Sequence, residues 1–156
     1  MLLMADFRDR YLAEMRGCSV LDVGARMSKK QSYSYRDLFG DYAYTAMDIA
    51  PGLNVDIVGY DGLGVYDVVI SGQVMEHVAR PWEWVTQLRA HFRRYICIVA
   101  PNTWKEHAYP LDCYRFFPDG MRALFEYAGI AVIEARRVGV DTIGIGEKRG
   151  DYGLSK

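Results

Sequence analysis

Two aspartates stand where apolar runs end, and their types and positions suit ligand binding. Asp22 closes one run just before Gly24, and Asp48 closes a second run 26 positions after Asp22. A glycine lets the backbone approach a ligand closely, while a carboxylate can bind a cationic amino group or accept two hydroxyl groups. Each aspartate has a structural alternative, since Asp22 could cap a helix or turn and Asp48 could belong to the turn that follows it.

Two histidines and a third aspartate could supply acid–base chemistry. His77 follows an apolar run, and His107 and Asp112 lie in a stretch that mixes proline, histidine, aspartate and aromatic residues. Histidine accepts a proton near neutral pH, so His107 or His77 is a candidate general base, with Asp112 as a weaker one. His77 and the adjacent Glu76 could equally be structural. The histidines lack the helical i, i+4 spacing of metal ligands, and we predict no metal site.

Several motifs share their order and spacing with a known family. They are the segment VLDVG around Asp22, the segment TAMDI around Asp48, and the block YDVVISGQVMEHV at 66–78. On these motifs the chain resembles the class I S-adenosylmethionine (SAM)-dependent methyltransferases of the small-molecule type. After Gly24 the chain continues Ala-Arg-Met-Ser, where the family usually has further glycines.

The resemblance implies that SAM is the cofactor and assigns roles to residues at the strand ends. Asp22 would bind the methionine amino group, and Asp48 would accept the ribose hydroxyls. Ile49 would form an apolar wall against adenine, and Asp61 would approach the adenine amine. The implied cofactor-binding residues are Asp22, Gly24, Asp48, Ile49, Asp61, Gly62, Ser71, Gly72 and Gln73, of which the last three would line the methionine side.

A second resemblance concerns the methyl acceptor. The stretch at 107–117 is similar to a segment of methyltransferases associated with bacterial surface-sugar gene sets, which points to a saccharide or related metabolite. The implied acceptor-binding residues are Trp104, His107, Tyr114 and Arg115. Aromatic and arginine side chains also commonly seal the edge of a core, so both readings of these residues stay open.

The elements that must position these residues alternate between strands and helices. Apolar runs predict strands at 19–23, 42–49, 55–58, 66–71 and 95–100, and helical spacing predicts helices from 7 to about 17, at 33–39, at 81–92 and at 118–127. Strands at 130–138 and 142–145 form a predicted hairpin. We therefore predict an α/β, Rossmann-like, doubly wound sheet of seven mostly parallel strands, with a C-terminal antiparallel hairpin and helices on both faces.

Composition narrows the class of protein. The 156 residues suit a single domain, predicted at 1–147 with a loose tail at 148–156. A net charge of -1 gives no general attraction to nucleic acid or anionic membrane, which argues against a nucleic-acid acceptor, and the resemblance implies a small-molecule acceptor. Three cysteines without CxxC spacing indicate a reducing, cytoplasmic setting, and no apolar run is long enough to span a membrane. The oligomeric state stays open.

Three functions remain open from the sequence. The favoured one is a methyltransferase. The second is a binding or regulatory module on a degenerate methyltransferase scaffold, motivated by the glycines missing after Gly24. The third is a nucleotide-dependent oxidoreductase on a related scaffold, which requires a G-x-G-x-x-G turn of which this chain has only one glycine.

Overall fold

The computed structural model describes residues 2–148, and these contain four α-helices and seven strands. The helices are α1 (Leu2–Tyr11), α2 (Tyr35–Leu38), α3 (Pro81–Arg89) and α4 (Pro118–Tyr127). The strands are β1 (Ser19–Val23), β2 (Ala43–Asp48), β3 (Ile57–Val58), β4 (Tyr66–Gly72), β5 (Phe92–Pro101), β6 (Ile130–Val138) and β7 (Asp141–Lys148). A short 3₁₀ helix, Met75–His77, follows β4. None of the helices described is long and apolar enough to cross a membrane.

All seven strands form one sheet in the order β3-β2-β1-β4-β5-β7-β6. The first five strands pair in parallel, whereas β7 runs antiparallel to both β5 and β6. The predicted mostly parallel sheet with a C-terminal hairpin is therefore confirmed. The strand order reverses at β1, which lies between β2 and β4, and ligands of open α/β sheets bind in the crevice at such a point.

Helices cover both faces of the sheet, as predicted, because the central strands are apolar on both sides. On one face α3 and α4 bury Leu88 and Phe125. On the other face α1 buries Met4 and Phe7. Burying side chains of this size contributes about 1.5 to 3 kcal/mol each to stability. The two layers hold the strand ends of the crevice in fixed relative positions.

The boundaries of several elements differ from their sequence-based predictions. The first helix ends at Tyr11 rather than near Gly17, and the chain turns before Gly17, whose φ of 78° leads it into β1. Helix α3 ends at Arg89 because Phe92 already begins β5. Between β5 and α4, residues 102–117 contain no helix or strand. Of the predicted tail, Lys148 closes β7 and 149–156 lie outside the described residues.

Candidate active site

Two adjoining cavities open at the carboxyl ends of β1, β2 and β4. The smaller has a volume of about 410 Å³ and the larger about 740 Å³. Their shared lining consists of Gly24, Arg26, Gln31, Gly72 and Gln73. Because the two cavities meet along these residues, one elongated ligand can occupy both.

Asp22 lies in the smaller cavity at the end of β1. Its side chain is only 3% exposed and accepts a hydrogen bond from the hydroxyl group of Tyr44. Burial raises the pKa of Asp22 to about 7, although the Tyr44 hydrogen bond acts in the opposite direction. A cation entering this cavity would favour the ionised carboxylate. The structure therefore places the predicted amino-binding residue where it can respond to a charged ligand.

Glycine is required at two positions of the shared lining. Gly24 has a φ of 82°, and a Cβ added there would lie 2.3 Å from a methyl carbon of Val74. A Cβ added at Gly72 would lie 2.2 Å from the hydroxyl oxygen of Tyr35. The turn after β1 is fastened by the N–H groups of Gly24 and the next residue, which both donate to the carbonyl oxygen of Met47. This anchoring needs none of the family's further glycines.

Asp48 lies in the larger cavity at the end of β2. One carboxylate oxygen accepts the backbone N–H of Arg26 at 3.2 Å and the other accepts that of Ala50 at 3.1 Å. The adjacent Ile49 lines the same cavity and is 77% exposed. Together the two side chains present oxygen acceptors beside an apolar surface, which suits a sugar carrying a flat ring.

The lining residues that sequence reasoning missed include two with side chains suited to ligand contact, Arg26 and Tyr60. Arg26 lines both cavities, and its guanidinium group lies 5.8 Å from the centre of the Tyr109 ring. Tyr60 lines the larger cavity, where its hydroxyl accepts a hydrogen bond from the indole of Trp84 at 2.8 Å. Arg26 could have been proposed from the sequence, because it lies in the turn directly after Gly24. Tyr60 could have been proposed because it is adjacent to Asp61, which was the residue predicted to approach adenine.

The far end of the larger cavity is formed by two histidines and the 108–110 segment. The Nδ1 atom of His77 lies 2.5 Å from the carbonyl oxygen of Leu111, and that of His107 lies 3.0 Å from the carbonyl oxygen of Lys105. The two imidazole rings are perpendicular, with centres 5.0 Å apart. The structure thus brings both predicted general-base candidates to one place.

Glu76 lies between these histidines and is fully buried. Within the described part of the chain, neither of its carboxylate oxygens has a hydrogen-bond partner. Its Oε1 atom lies 3.5 Å from Nε2 of His77 and 3.8 Å from Nε2 of His107. Burial raises the pKa of Glu76, and the two histidines oppose that shift. The sequence did not predict this three-residue cluster.

Asp112 fastens the loop instead of facing the cavity. Its carboxylate accepts two hydrogen bonds from Arg115, at 2.5 and 2.7 Å, and the backbone N–H of His107 at 2.6 Å. Arg115 also donates to the carbonyl oxygens of Trp104 and Lys105. The Arg115 guanidinium holds the pKa of Asp112 far below its ordinary range, which makes this carboxylate a poor proton acceptor at neutral pH.

Several predicted binding residues line neither cavity. They are Asp61, Gly62, Ser71, Trp104, Tyr114 and Arg115. Ser71 is fully buried and donates to the carbonyl oxygen of Val23 at 2.7 Å, which ties β4 to β1. The Tyr114 hydroxyl donates to the carbonyl oxygen of Ala79 at 3.0 Å. The remaining predicted cofactor residues, Asp22, Gly24, Asp48, Ile49, Gly72 and Gln73, do line the cavities.

Comparison with known proteins identifies the fold. No family model and no curated protein matches the sequence. The structure is similar to magnesium protoporphyrin IX methyltransferase ChlM of Synechocystis PCC 6803 with bound S-adenosylhomocysteine (SAH), at 14% identity and a TM-score of 0.64 over 94% of this chain and 83% of that one. The chain has the class I methyltransferase fold.

Two further structures share this fold. The cyclase SpnF is 10% identical with a TM-score of 0.67, over 94% of this chain and 80% of that one. The N-terminal domain of EvdMO1, in the presence of SAH and D-fucose, is 17% identical with a TM-score of 0.59, over 93% of this chain and 82% of that one. At such low identities the likeness concerns the fold, and function must be argued from the site.

Proposed function

We propose that this chain is a SAM-dependent methyltransferase acting on a small-molecule acceptor. The observation that carries the proposal is the placement of Asp22 and Asp48 at the ends of adjacent parallel strands, in cavities that meet at Gly24. The class I methyltransferase fold is shared with proteins whose structures hold SAM or SAH. Since one fold supports several functions, the cavity residues carry the argument.

The cavity residues fit SAM along its whole length. The buried carboxylate of Asp22, in its ionised form, suits the cationic amino group, and the glycines at 24 and 72 leave room for a ligand close to the backbone. Asp48 suits the ribose hydroxyls, with Ile49 and Tyr60 as walls for adenine. When bound, SAM supplies the methyl group, and the sulfonium sulfur that carries this group acts as the leaving group.

The protein's main task is then to align the acceptor. His77 and His107 occupy the far end of the larger cavity, and the 108–110 segment beside them lines its wall. Holding an acceptor oxygen in line with the methyl group can supply most of the rate enhancement of a transfer reaction. Asp112 and Arg115 support this end by fixing the position of His107.

A saccharide or related metabolite is the acceptor class that we propose to test first. The stretch at 107–117 resembles segments of surface-sugar-associated methyltransferases, and the similar EvdMO1 domain was determined in the presence of D-fucose. Tyr109 adds a ring that is 65% exposed to the same cavity. The three free cysteines support a reducing, cytoplasmic setting for the reaction.

Calorimetric titration with SAM and SAH tests the proposal. We expect wild type to bind with a Kd on the order of micromolar, and Asp48→Ala to weaken binding about tenfold or more. Asp61→Ala is the matched control, because Asp61 is an exposed aspartate of the next loop that lines neither cavity. Absence of binding in wild type, or equal losses in the two variants, would contradict the proposal.

The second candidate is a non-catalytic binding or regulatory module on a degenerate methyltransferase scaffold. It is favoured by the altered turn after Gly24 and by the similarity to SpnF, which is named as a cyclase. Transfer of labelled methyl from SAM to a panel of sugars separates the two candidates. Binding of SAM without labelled product, whatever acceptor is offered, would favour the module. Protection of the fold by NAD but not by SAM would instead revive the oxidoreductase reading.

A further inference from the structure

Three potential metal ligands that the sequence did not group together meet where His77 and His107 line the larger cavity. One ligand atom each from Glu76, His77 and His107 lie within 4.8 Å of one another. Glu76 and His77 are adjacent in the 3₁₀ helix after β4, whereas His107 comes from the loop after β5. Their proximity arises only because β4 and β5 are neighbouring parallel strands.

The hydrogen bonds of the two histidines engage their Nδ1 atoms and leave their Nε2 atoms free to bind a metal. A carbonyl oxygen can only accept, so the Nδ1 atoms that contact Leu111 and Lys105 must carry the hydrogen. In a neutral imidazole the Nε2 atom then holds the free lone pair. Histidines that bind metals commonly have their other ring nitrogen fixed in this way by a backbone carbonyl.

Glu76 supplies an independent observation. It is fully buried, and neither carboxylate oxygen has a hydrogen-bond partner within residues 2–148. A buried carboxylate without a partner costs free energy unless a positive charge or a donor satisfies it. The groups facing it are the Nε2 atoms of His77 and His107, which are lone-pair acceptors in the neutral tautomer just described. A cation at their centre would satisfy all three groups together.

The distances suit such a cation. Bonds of about 2.0 to 2.2 Å from a zinc-like ion place tetrahedral ligand atoms about 3.4 Å apart. The Oε1 atom of Glu76 lies 3.5 and 3.8 Å from the two Nε2 atoms, close to that separation, and all three residues have ligand atoms within 4.8 Å of one another. Two imidazoles and one carboxylate favour first-row divalent transition ions over magnesium, which prefers oxygen ligands.

The geometry points to a divalent transition-metal site formed by Glu76 Oε1, His77 Nε2 and His107 Nε2. Three protein ligands leave coordination positions free, and both histidines line the cavity, so an oxygen of a small molecule can complete the shell. Binding of the ion does not depend on methyl transfer. Its role in holding an acceptor oxygen does rest on the proposed function, and in that role the histidines act as ligands rather than as general bases.

Metal binding is tested on tag-free protein stripped with a chelator, in the absence of SAM and acceptor. Zn²⁺ is titrated by calorimetry, and Co²⁺ by visible absorption, which reports the coordination of the ion. We expect one ion per chain, with affinity lowered by on the order of tenfold or more in His107→Ala and in Glu76→Gln. His107 is exposed on a loop, so its variant should keep the fold even if Glu76→Gln does not. Thermal melting of each variant checks this.

His91→Ala is the control, because His91 is the one histidine of the three that lies outside the cluster, where it contacts the carbonyl oxygen of Gly64. It should bind the ions as wild type does. The site is overturned if wild type binds neither ion at one per chain, or if His91→Ala loses as much affinity as His107→Ala. Since no cofactor is present, failure of metal binding leaves SAM binding standing, and the reverse also holds.

Discussion

The two ends of the larger cavity are built in different ways. The end at Asp48 and Ile49 is formed by the terminus of a strand, and backbone N–H groups hold the Asp48 carboxylate in place. The end at His77 and His107 is formed by a 3₁₀ helix and a long loop, and beside it lies the Glu76 carboxylate, which has no hydrogen-bond partner among residues 2–148. The Asp48 carboxylate is therefore satisfied by the protein's own backbone, whereas the Glu76 carboxylate faces only two imidazoles among the described residues.

This difference predicts that substitutions will separate binding of cofactor from turnover. Residues at strand ends are fixed by the sheet, so their loss should weaken SAM binding. Residues at the loop end contact the acceptor side, so their loss should slow the reaction and leave SAM binding intact. The experiments that test this separation begin with the largest expected effect.

Replacement of His107 should have the largest effect. His107→Ala removes a side chain at the acceptor end that is 43% exposed and lies beside Glu76. We expect turnover to fall on the order of a hundredfold, which is typical for loss of a group acting on the reacting atoms, with the Kd for SAH changed by less than about twofold. Labelled-methyl transfer and calorimetry measure the two quantities. Unchanged turnover would remove this histidine from the mechanism.

Replacement of Gly24 should act on cofactor binding, because Gly24 lies in the lining shared by the two cavities. Gly24→Ala places a Cβ against Val74 and strains a backbone with a φ of 82°, so the turn must shift. We expect SAH affinity to fall about tenfold, measured by calorimetry. Gly62→Ala is the control, because Gly62 has a φ of 74° but open space around its Cβ position. Both variants should lose about 1 kcal/mol of stability from strain, and equal losses of affinity would contradict the account.

The strand-end motifs could be predicted because each depends on local sequence. An apolar strand that ends in aspartate before a glycine places the carboxylate at the sheet edge, and Asp22 and Asp48 lie there. The Glu76 cluster could not be predicted in this way, because His107 is 31 residues away and reaches Glu76 only through the pairing of β4 with β5. Tyr60, rather than the predicted Asp61, lines the larger cavity. Which of the two faces the cavity depends on the conformation of a loop, and the apolar pattern of the sequence does not specify that conformation.

The pH dependence of cofactor binding should show a smaller effect. The pKa of Asp22 is raised to about 7 by burial, so the carboxylate becomes protonated as pH falls through that value and loses its attraction for an amino cation. We expect SAH affinity to fall several-fold between about pH 7.5 and pH 6, and Asp22→Asn to abolish this dependence. Calorimetry at both pH values is the measurement. A wild-type profile identical to that of Asp22→Asn would contradict the assignment.

The same raised pKa has a consequence for stability. Because the folded state holds the Asp22 proton more tightly than the unfolded state, the contribution of Asp22 to the free energy of unfolding decreases as pH rises from about 4 towards 7. Denaturant unfolding without ligand should therefore show a smaller loss across this range in Asp22→Asn than in wild type.

Replacement of Ser71 should have the smallest effect on function. Ser71→Ala removes a buried hydrogen bond to the carbonyl oxygen of Val23 without altering the lining of either cavity. We expect a loss of about 1 kcal/mol in the free energy of unfolding, measured with denaturant, and no change in SAH affinity. A large loss of affinity would show that Ser71 acts on the cofactor after all.

A crystal structure of the protein with SAH tests the central claim most directly. The account predicts that SAH spans both cavities, with its amino group at Asp22, its ribose hydroxyls at Asp48 and its sulfur directed towards His77 and His107. Binding of SAH at another surface, or with its ribose away from Asp48, would contradict the claim that the strand ends form the cofactor site.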